Sequence, residues 1–181
     1  HIGQAGHRLT IYNRSPQRAE RWQEANPGLA ARVAASPAEA AEGADVVLTC
    51  VGNDDDLADV VLGPTGVFST IRHGATFIDH TTVSARIARQ IAVEARDLEV
   101  HCVDAPVTGG QAGAENGQLT VMCGGRADAI EAARPVMEAY TKRIVHVGKA
   151  GSGQSTKMVN QIAFSGILAT LSEALRFAEA A

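Results

Sequence analysis

The chain has 181 residues, 45% of them hydrophobic and 20% charged, which suits one domain with a substantial core. A formal charge of -4 argues against a basic nucleic-acid face, and 4% aromatic residues leave too few rings for a single-strand stacking platform. No apolar run reaches the roughly 20 residues that span a bilayer, because Ser165, Gly166, Thr170 and Ser172 interrupt the longest one.

The first residues, His1-Ile2-Gly3-Gln4, have neither an initiator Met nor a signal-peptide layout, and a reducing cytoplasm is the expected compartment. Gly3 and Gly6 fit the end of a helix and its turn, with Gly6 at C′. A strand is expected over Arg8 to Asn13. Ser15 then caps a helix with Pro16 at its first position, which stops near Asn26-Pro27-Gly28. Ser36-Pro37-Ala38-Glu39 has capping-box spacing and opens a short helix. Asp45 to Val51 is a continuous apolar strand of the kind covered on both faces in a parallel sheet. After the turn at Gly52-Asn53-Asp54, a helix is expected over Asp55 to Leu62. The acids Asp54 to Asp56 suit a helix N-terminus, and no His or Cys converges on them to suggest a metal. Then follow a strand at Ala75 to Asp79, a loop at His80 to Ser84, a helix at Ala85 to Arg96 and a strand at Glu99 to Asp104. A loop runs through Gly117, before a strand at Leu119 to Cys123, a helix at Ala127 to Tyr140 and a strand at Ile144 to Val147. Such alternation defines βαβ units and an α/β, doubly wound, mostly parallel sheet. Cys50, Cys102 and Cys123 are odd in number, widely spaced and each in a strand-like run, so they read as buried thiols with no disulfide framework or metal site implied.

The turn Gly151-Ser152-Gly153 feeds a long helix, since Met158, Val159, Ile162, Ala163, Ile167, Leu168, Leu171, Ala174, Leu175 and Ala178 recur at three and four residues. Lys157 falls in its first turn, with Asn160 and Gln161 at i+3 and i+4 on the same side. A lysine at the positive end of a helix is electrostatically unusual and suits an acid/base role toward an anionic substrate. A solvated surface lysine is the competing reading.

A doubly wound sheet binds ligands outside the carboxyl ends of its strands. At the first such end stand Asn13 and Arg14, where a dinucleotide fold carries an acid for a free ribose 2′-hydroxyl or an arginine for a 2′-phosphate. NADP is therefore expected over NAD. Val51 with Gly52-Asn53-Asp54, and His80-Thr81-Thr82, lie at other strand ends. Asp104-Ala105-Pro106-Val107-Thr108-Gly109-Gly110 ends a strand in a proline-restricted turn, a hydroxyl and backbone N–H groups suited to a carboxylate. A G-x-G-x-x-G fingerprint is absent.

Tyr12-Asn13-Arg14-Ser15, Asp104 to Gly110, and Gly151-Ser152-Gly153 with Lys157 resemble, in this order and spacing, the β-hydroxyacid dehydrogenases. That family includes 3-hydroxyisobutyrate dehydrogenase, tartronate semialdehyde reductase and the glyoxylate/succinic semialdehyde reductases. The resemblance covers nearly the whole chain and implies reversible hydride transfer between NAD(P) and C3 of a short 3-hydroxy acid. It implies that Lys157 is the acid/base, that Thr108, Gly109 and Gly110 form the substrate-carboxylate loop, and that Asn160 or Gln161 supplies the orienting amide. Asn13 and Arg14 correspond to 2′-phosphate contacts, Cys50 and Val51 to residues beneath the adenosine side, and Thr82 to a nicotinamide-side contact. Gln161 stands where the family usually has asparagine, and Ala85 where a proline is common.

The resemblance also implies a Rossmann-type sheet lacking its first strand and phosphate loop. It divides the chain into an NADP-binding domain at 1–149 and, at 150–181, the start of an interdomain helix leading to an all-α second domain. The intact protein is expected to be a homo-oligomer, and this chain alone to bind NADP weakly with little turnover. Two other readings stay open: an imine-reductase-like or chromatin-type relative that keeps the fold without alcohol chemistry, and an inactive nucleotide-binding remnant.

Overall fold

The computed structural model describes residues His1–Ala181. Strands β1 (Leu9–Ile11), β2 (Ala31–Val33), β3 (Val46–Thr49), β4 (Thr76–Asp79), β5 (His101–Asp104), β6 (Val107–Thr108), β7 (Leu119–Gly125) and β8 (Thr141–Gly148) interleave with seven helices. These are α1 (Pro16–Ala25), α2 (Pro37–Ala41), α3 (Asp54–Leu62), α4 (Ala85–Asp97), α5 (Gly110–Glu115), α6 (Ala127–Met137) and α7 (Ser152–Ala180). No helix is long and apolar enough to cross a membrane.

Local side-chain caps explain the starts of α2, α3 and α4. Asn53 Oδ1 accepts the Asp56 N–H and acids fill the first turn of α3, favoured there by the helix dipole. Ser84 Oγ accepts the Ile87 N–H at α4, and Ser36 Oγ accepts the Glu39 N–H at α2. The return half of the capping box is displaced: the Glu39 carboxylate accepts from the Ala35 N–H, one residue before the cap. Ser15 occupies the N-cap of α1, but its side chain makes no capping bond; its own N–H donates to Asn13 Oδ1. At the N-terminus, the His7 N–H donates to Ile2 O and the Gly6 N–H to Gly3 O, the paired bonds of a Schellman ending, with Gly6 at φ 93.

Two stretches differ from the sequence reading. Between Asn26 and Ser36 a three-residue strand, β2, pairs in parallel with β1, from Leu9↔Ala31 to Ile11↔Val33. It is too short to show an alternation pattern. The loop expected up to Gly117 contains β6, antiparallel to β7 through Val107↔Val121 and Thr108↔Thr120, and the short helix α5. Its glycines, poor helix formers, concealed α5.

The main sheet holds β3, β4 and β5 in parallel, then β7 antiparallel to β5, with β8 parallel and β6 antiparallel to β7. The β1–β2 pair is a separate two-stranded sheet. Alternation along the central strands divides the core between two faces. Val47 and Phe77 join Leu57, Val61, Ile87 and Ile91 on one side, while Ile78 and Val103 join Ile130, Ala133 and Met137 on the other. Both faces of the sheet are therefore covered, as its unbroken apolar strands require.

α7 crosses β5 and β7 at backbone distance. A Cβ on Gly153 would run into the main-chain oxygens of Met122 and Asp104 and into the Asp104 carboxylate. From Met158 onward the helix is exposed, Ile162, Phe164, Ile167 and Leu171 included. Gly153→Ala is expected to destabilise the chain by about 1–3 kcal/mol through overpacking. Urea unfolding measures this, and an unchanged midpoint would show that α7 is not seated on the sheet as described.

Candidate active site

Parallel register places Thr49, Asp79 and Asp104 side by side at the carboxyl ends of β3, β4 and β5, with Gly124 of β7 opposite Asp104. All three polar residues are buried. Asp79 Oδ1 accepts from Thr49 Oγ1 at 2.8 Å, from Thr81 Oγ1 at 2.6 Å and from the Thr81 N–H at 3.0 Å. Its Oδ2 is buried without a partner. Burial pushes the Asp79 carboxyl up to about 6; the bonds from Thr81 and Thr49 oppose the shift, and the charge of Asp104 adds to it.

Asp104 faces the start of α7. Its Oδ1 accepts the Gly151 N–H at 2.7 Å and its Oδ2 the Gln154 N–H at 3.0 Å. Burial raises this carboxyl above its ordinary value despite those N–H groups. Gly151, at φ 85, has no side chain to cap the helix, and Asp104 satisfies the free N–H groups from across the sheet. Helix geometry accordingly begins at Ser152, so Lys157 lies in the second turn and not the first. Lys157 is half-buried, and burial lowers its pKa. Asn160 and Gln161, one turn on, are exposed.

Gln154 is fully buried, and its amide spans to the loop after β4. Nε2 donates to Thr81 O at 2.7 Å, and Oε1 accepts the Val83 N–H at 3.1 Å. Thr82, between them, is exposed. The same loop reaches the end of β3, where the Val51 N–H donates to Thr81 Oγ1 at 3.1 Å. Thr108 closes β6, and Gly109-Gly110 open α5 on the surface.

Asn13 and Arg14 meet Cys50, Val51 and Gly52 in one open cleft of about 1220 Å³ between the free edges of β1 and β3. Arg14 stands at its mouth, with its guanidinium 2.8 Å from Asp56 of α3. Thr82, Thr108, Gly109, Gly110, Lys157, Asn160 and Gln161 do not line this cleft. Of these, the Gln154 bonds tie only the loop that bears Thr82 to the start of α7, three residues before Lys157; Thr108 pairs with Thr120 of β7. The cysteines differ from expectation: Cys123 is buried and Cys102 partly so, but Cys50, one residue past β3, is exposed. Burial pushes the Cys123 thiol up to about 12. No group of three or more His, Cys, Asp or Glu side chains is arranged to hold a metal.

The sequence reading gave Asp79 and Gln154 no role, Thr81 only a place at a strand end and Asp56 only one at a helix N-terminus. Their partners lie 30 to 73 residues away for the Thr49–Asp79 and Gln154–Thr81 contacts, distances that no local spacing encodes. Asp104 was visible within its motif, but only as a strand end.

A covered, mostly parallel sheet with polar groups gathered at its carboxyl ends is the α/β arrangement that binds ligands beyond those strand ends, dinucleotides among them. Residues 1–148 match the NAD binding domain of 6-phosphogluconate dehydrogenase, and the chain belongs to that family. Over 181 residues it is 48% identical to an oxidoreductase of Shewanella frigidimarina whose substrate its name does not give. It is 41% identical to a mitochondrial 3-hydroxyisobutyrate dehydrogenase-like protein of Arabidopsis thaliana. All of this chain is aligned in both cases, spanning 61% and 55% of those relatives. The structure of Mycobacterium tuberculosis 3-hydroxyisobutyrate dehydrogenase with L-serine superposes with a TM-score of 0.88 at 32% identity, covering 98% of this chain and 59% of that one.

A carboxyl whose folded pKa is raised binds its proton more tightly in the folded state. The stability this provides is present below the unfolded value of about 3.9 and is lost as pH rises through about 6. Asp79→Asn, neutral throughout, should therefore gain on the parent by on the order of 2–3 kcal/mol between about pH 4 and about pH 7.5. Urea unfolding of both proteins across that range tests this, and a constant difference between them contradicts it.

Proposed function

We propose that the chain is the cofactor-binding and lysine-bearing part of an NADP-dependent oxidoreductase that interconverts a short 3-hydroxy acid and its semialdehyde, of the 3-hydroxyisobutyrate or tartronate type. The observation that carries this reading is a half-buried lysine of lowered pKa on a helix whose start is bonded to the end of β5 and to the loop after β4. The kinship with 3-hydroxyisobutyrate dehydrogenase supports the substrate class.

The nucleotide end of the cofactor suits the cleft. Arg14 offers a planar cation at the mouth. Asn13 and Arg14 would hold the ribose 2′-phosphate, with Cys50 and Val51 beneath the adenosine and Thr82 toward the nicotinamide. When bound, the cofactor supplies or accepts the hydride.

Lys157 handles the proton. In reduction it donates to the oxygen at C3 as negative charge develops there, and in oxidation it removes the hydroxyl proton. Partial burial eases that exchange by lowering the ammonium pKa. Thr108, Gly109 and Gly110 would receive the carboxylate, and Asn160 or Gln161 would orient the reacting oxygen. The exposed apolar side of α7 suits a further domain and a homo-oligomer in the whole protein.

Calorimetric titration with NADPH and NADH tests the cofactor assignment. Arg14→Asp is expected to weaken NADPH binding roughly tenfold or more, with a much smaller change for NADH. Equal losses would remove Arg14 from the 2′-phosphate site. In the whole protein, Lys157→Ala should lower kcat by about 10²- to 10⁴-fold with NADPH affinity retained. An unchanged rate with short semialdehydes would discard the acid/base assignment.

A further inference from the structure

We infer that Gln154 is a positioning residue that fixes Thr82 and Lys157 relative to one another through its two hydrogen bonds to the loop after β4. The inference rests on the roles proposed above for those two residues.

The loop from His80 to Ser84 belongs to no strand, so the buried main-chain groups at Thr81 and Val83 need partners from elsewhere. Gln154 supplies both. Its Nε2 donates to the carbonyl before Thr82, and its Oε1 accepts the N–H after it, much as a neighbouring strand would. Thr81 and Val83 are thereby held inward while Thr82 faces out. On the helix side, Gln154 is equally constrained. Its own N–H is held by Asp104 Oδ2, and Gly153 beside it rests on the backbone of β5 and β7. Lys157 follows at i+3, on the neighbouring part of the same helix surface. One buried amide thus sets the spacing between the exposed threonine and the half-buried lysine.

The chemistry of the position narrows which side chains serve. A carbonyl and an N–H must be met together, so the side chain needs a donor and an acceptor side by side. Glutamine has both. An ionised glutamate would set a carboxylate against the Thr81 carbonyl in a fully buried place, whereas a neutral carboxylic acid reproduces the glutamine pattern. Glutamate is therefore a conditional substitute, competent only when protonated.

The test uses the chain without cofactor or substrate, reading Val83 amide exchange and the Lys157 titration, the latter by NMR of dimethylated lysines. Lys142, Lys149 and Lys157 are the only lysines, which makes the signals assignable. In Gln154→Leu, Val83 exchange should accelerate about fivefold or more and the Lys157 pKa should move back toward its ordinary value. In Gln154→Glu, protection of Val83 should match the parent at low pH and disappear as the glutamate ionises. That pH-dependent rescue would not arise from packing alone, and it serves where Gln154→Leu fails to fold. Unaltered Val83 exchange in Gln154→Leu, Val83 protection in Gln154→Glu that does not change with pH, or a Lys157 titration that stays put while Val83 is released, overturns the inference. Neither readout depends on catalysis, so such a result leaves the acid/base assignment to the kinetics of Lys157→Ala.

Discussion

A buried carboxylate at the end of β5 performs for α7 the task that a serine or asparagine performs locally for α2, α3 and α4. Asp104 accepts N–H groups from both Gly151 and Gln154, and two glycines make that approach feasible: Gly124 opposite it on β7 and Gly153 above it on the helix. The arrangement costs desolvation of a charge, offset by charge-assisted bonds to a helix start whose free N–H groups need acceptors in any case. It also ties the orientation of the longest helix to the sheet by electrostatics, with apolar contact playing a lesser part there. Everything beyond the first turns of α7 depends on that anchor.

From Asp104 the polar contacts spread across the strand ends. Gln154 carries them to the loop after β4, Thr81 carries them to Val51, and Asp79 gathers Thr81 and Thr49. Loops that bear function are usually the mobile parts of a fold. Here the loop after β4 and the helix start are bonded through side chains that are themselves buried. Preorganisation of that kind suits chemistry in which a proton donor must keep a fixed relation to a reacting carbonyl. The cleft at β1 and β3 is built differently: its walls come from separate sheets, and its cation is matched by a half-buried acid. A bonded strand-end network and a more open cleft thus lie on one scaffold.

Much of this was readable from residue order. Continuous apolar runs marked β3 and β4, Pro16 and Ser36 marked helix starts, and the three-four recurrence after Gly153 marked α7. The strand-end motifs and the glycine-rich turn before α7 marked Arg14, Asp104 and Lys157 as candidates, and the roles of Arg14 and Lys157 belong to the proposal. What escaped has a common physical origin. β2 and β6 are two or three residues long, below the length at which alternation means anything, and α5 opens with two glycines. The sequence reading treated Gly151-Ser152-Gly153 as a turn, because a glycine pair usually ends regular structure. Only an acceptor from β5 lets the helix begin there, and that shifts Lys157 by a turn. Gln154 looked like one more polar residue in a glycine-rich stretch, since nothing local reveals that its partners sit more than seventy residues earlier.

The β1–β2 pair has one more property that follows from its isolation. Its strands share ladder bonds with each other and with nothing in the six-stranded sheet, and its link through Arg14 and Asp56 is an exposed ion pair of the kind that adds little. Such a ribbon can open while the two-faced core stays closed, as a foldon of its own. Local opening of that kind would let the amide protons of Leu9 to Ile11 exchange ahead of those in the six-stranded sheet.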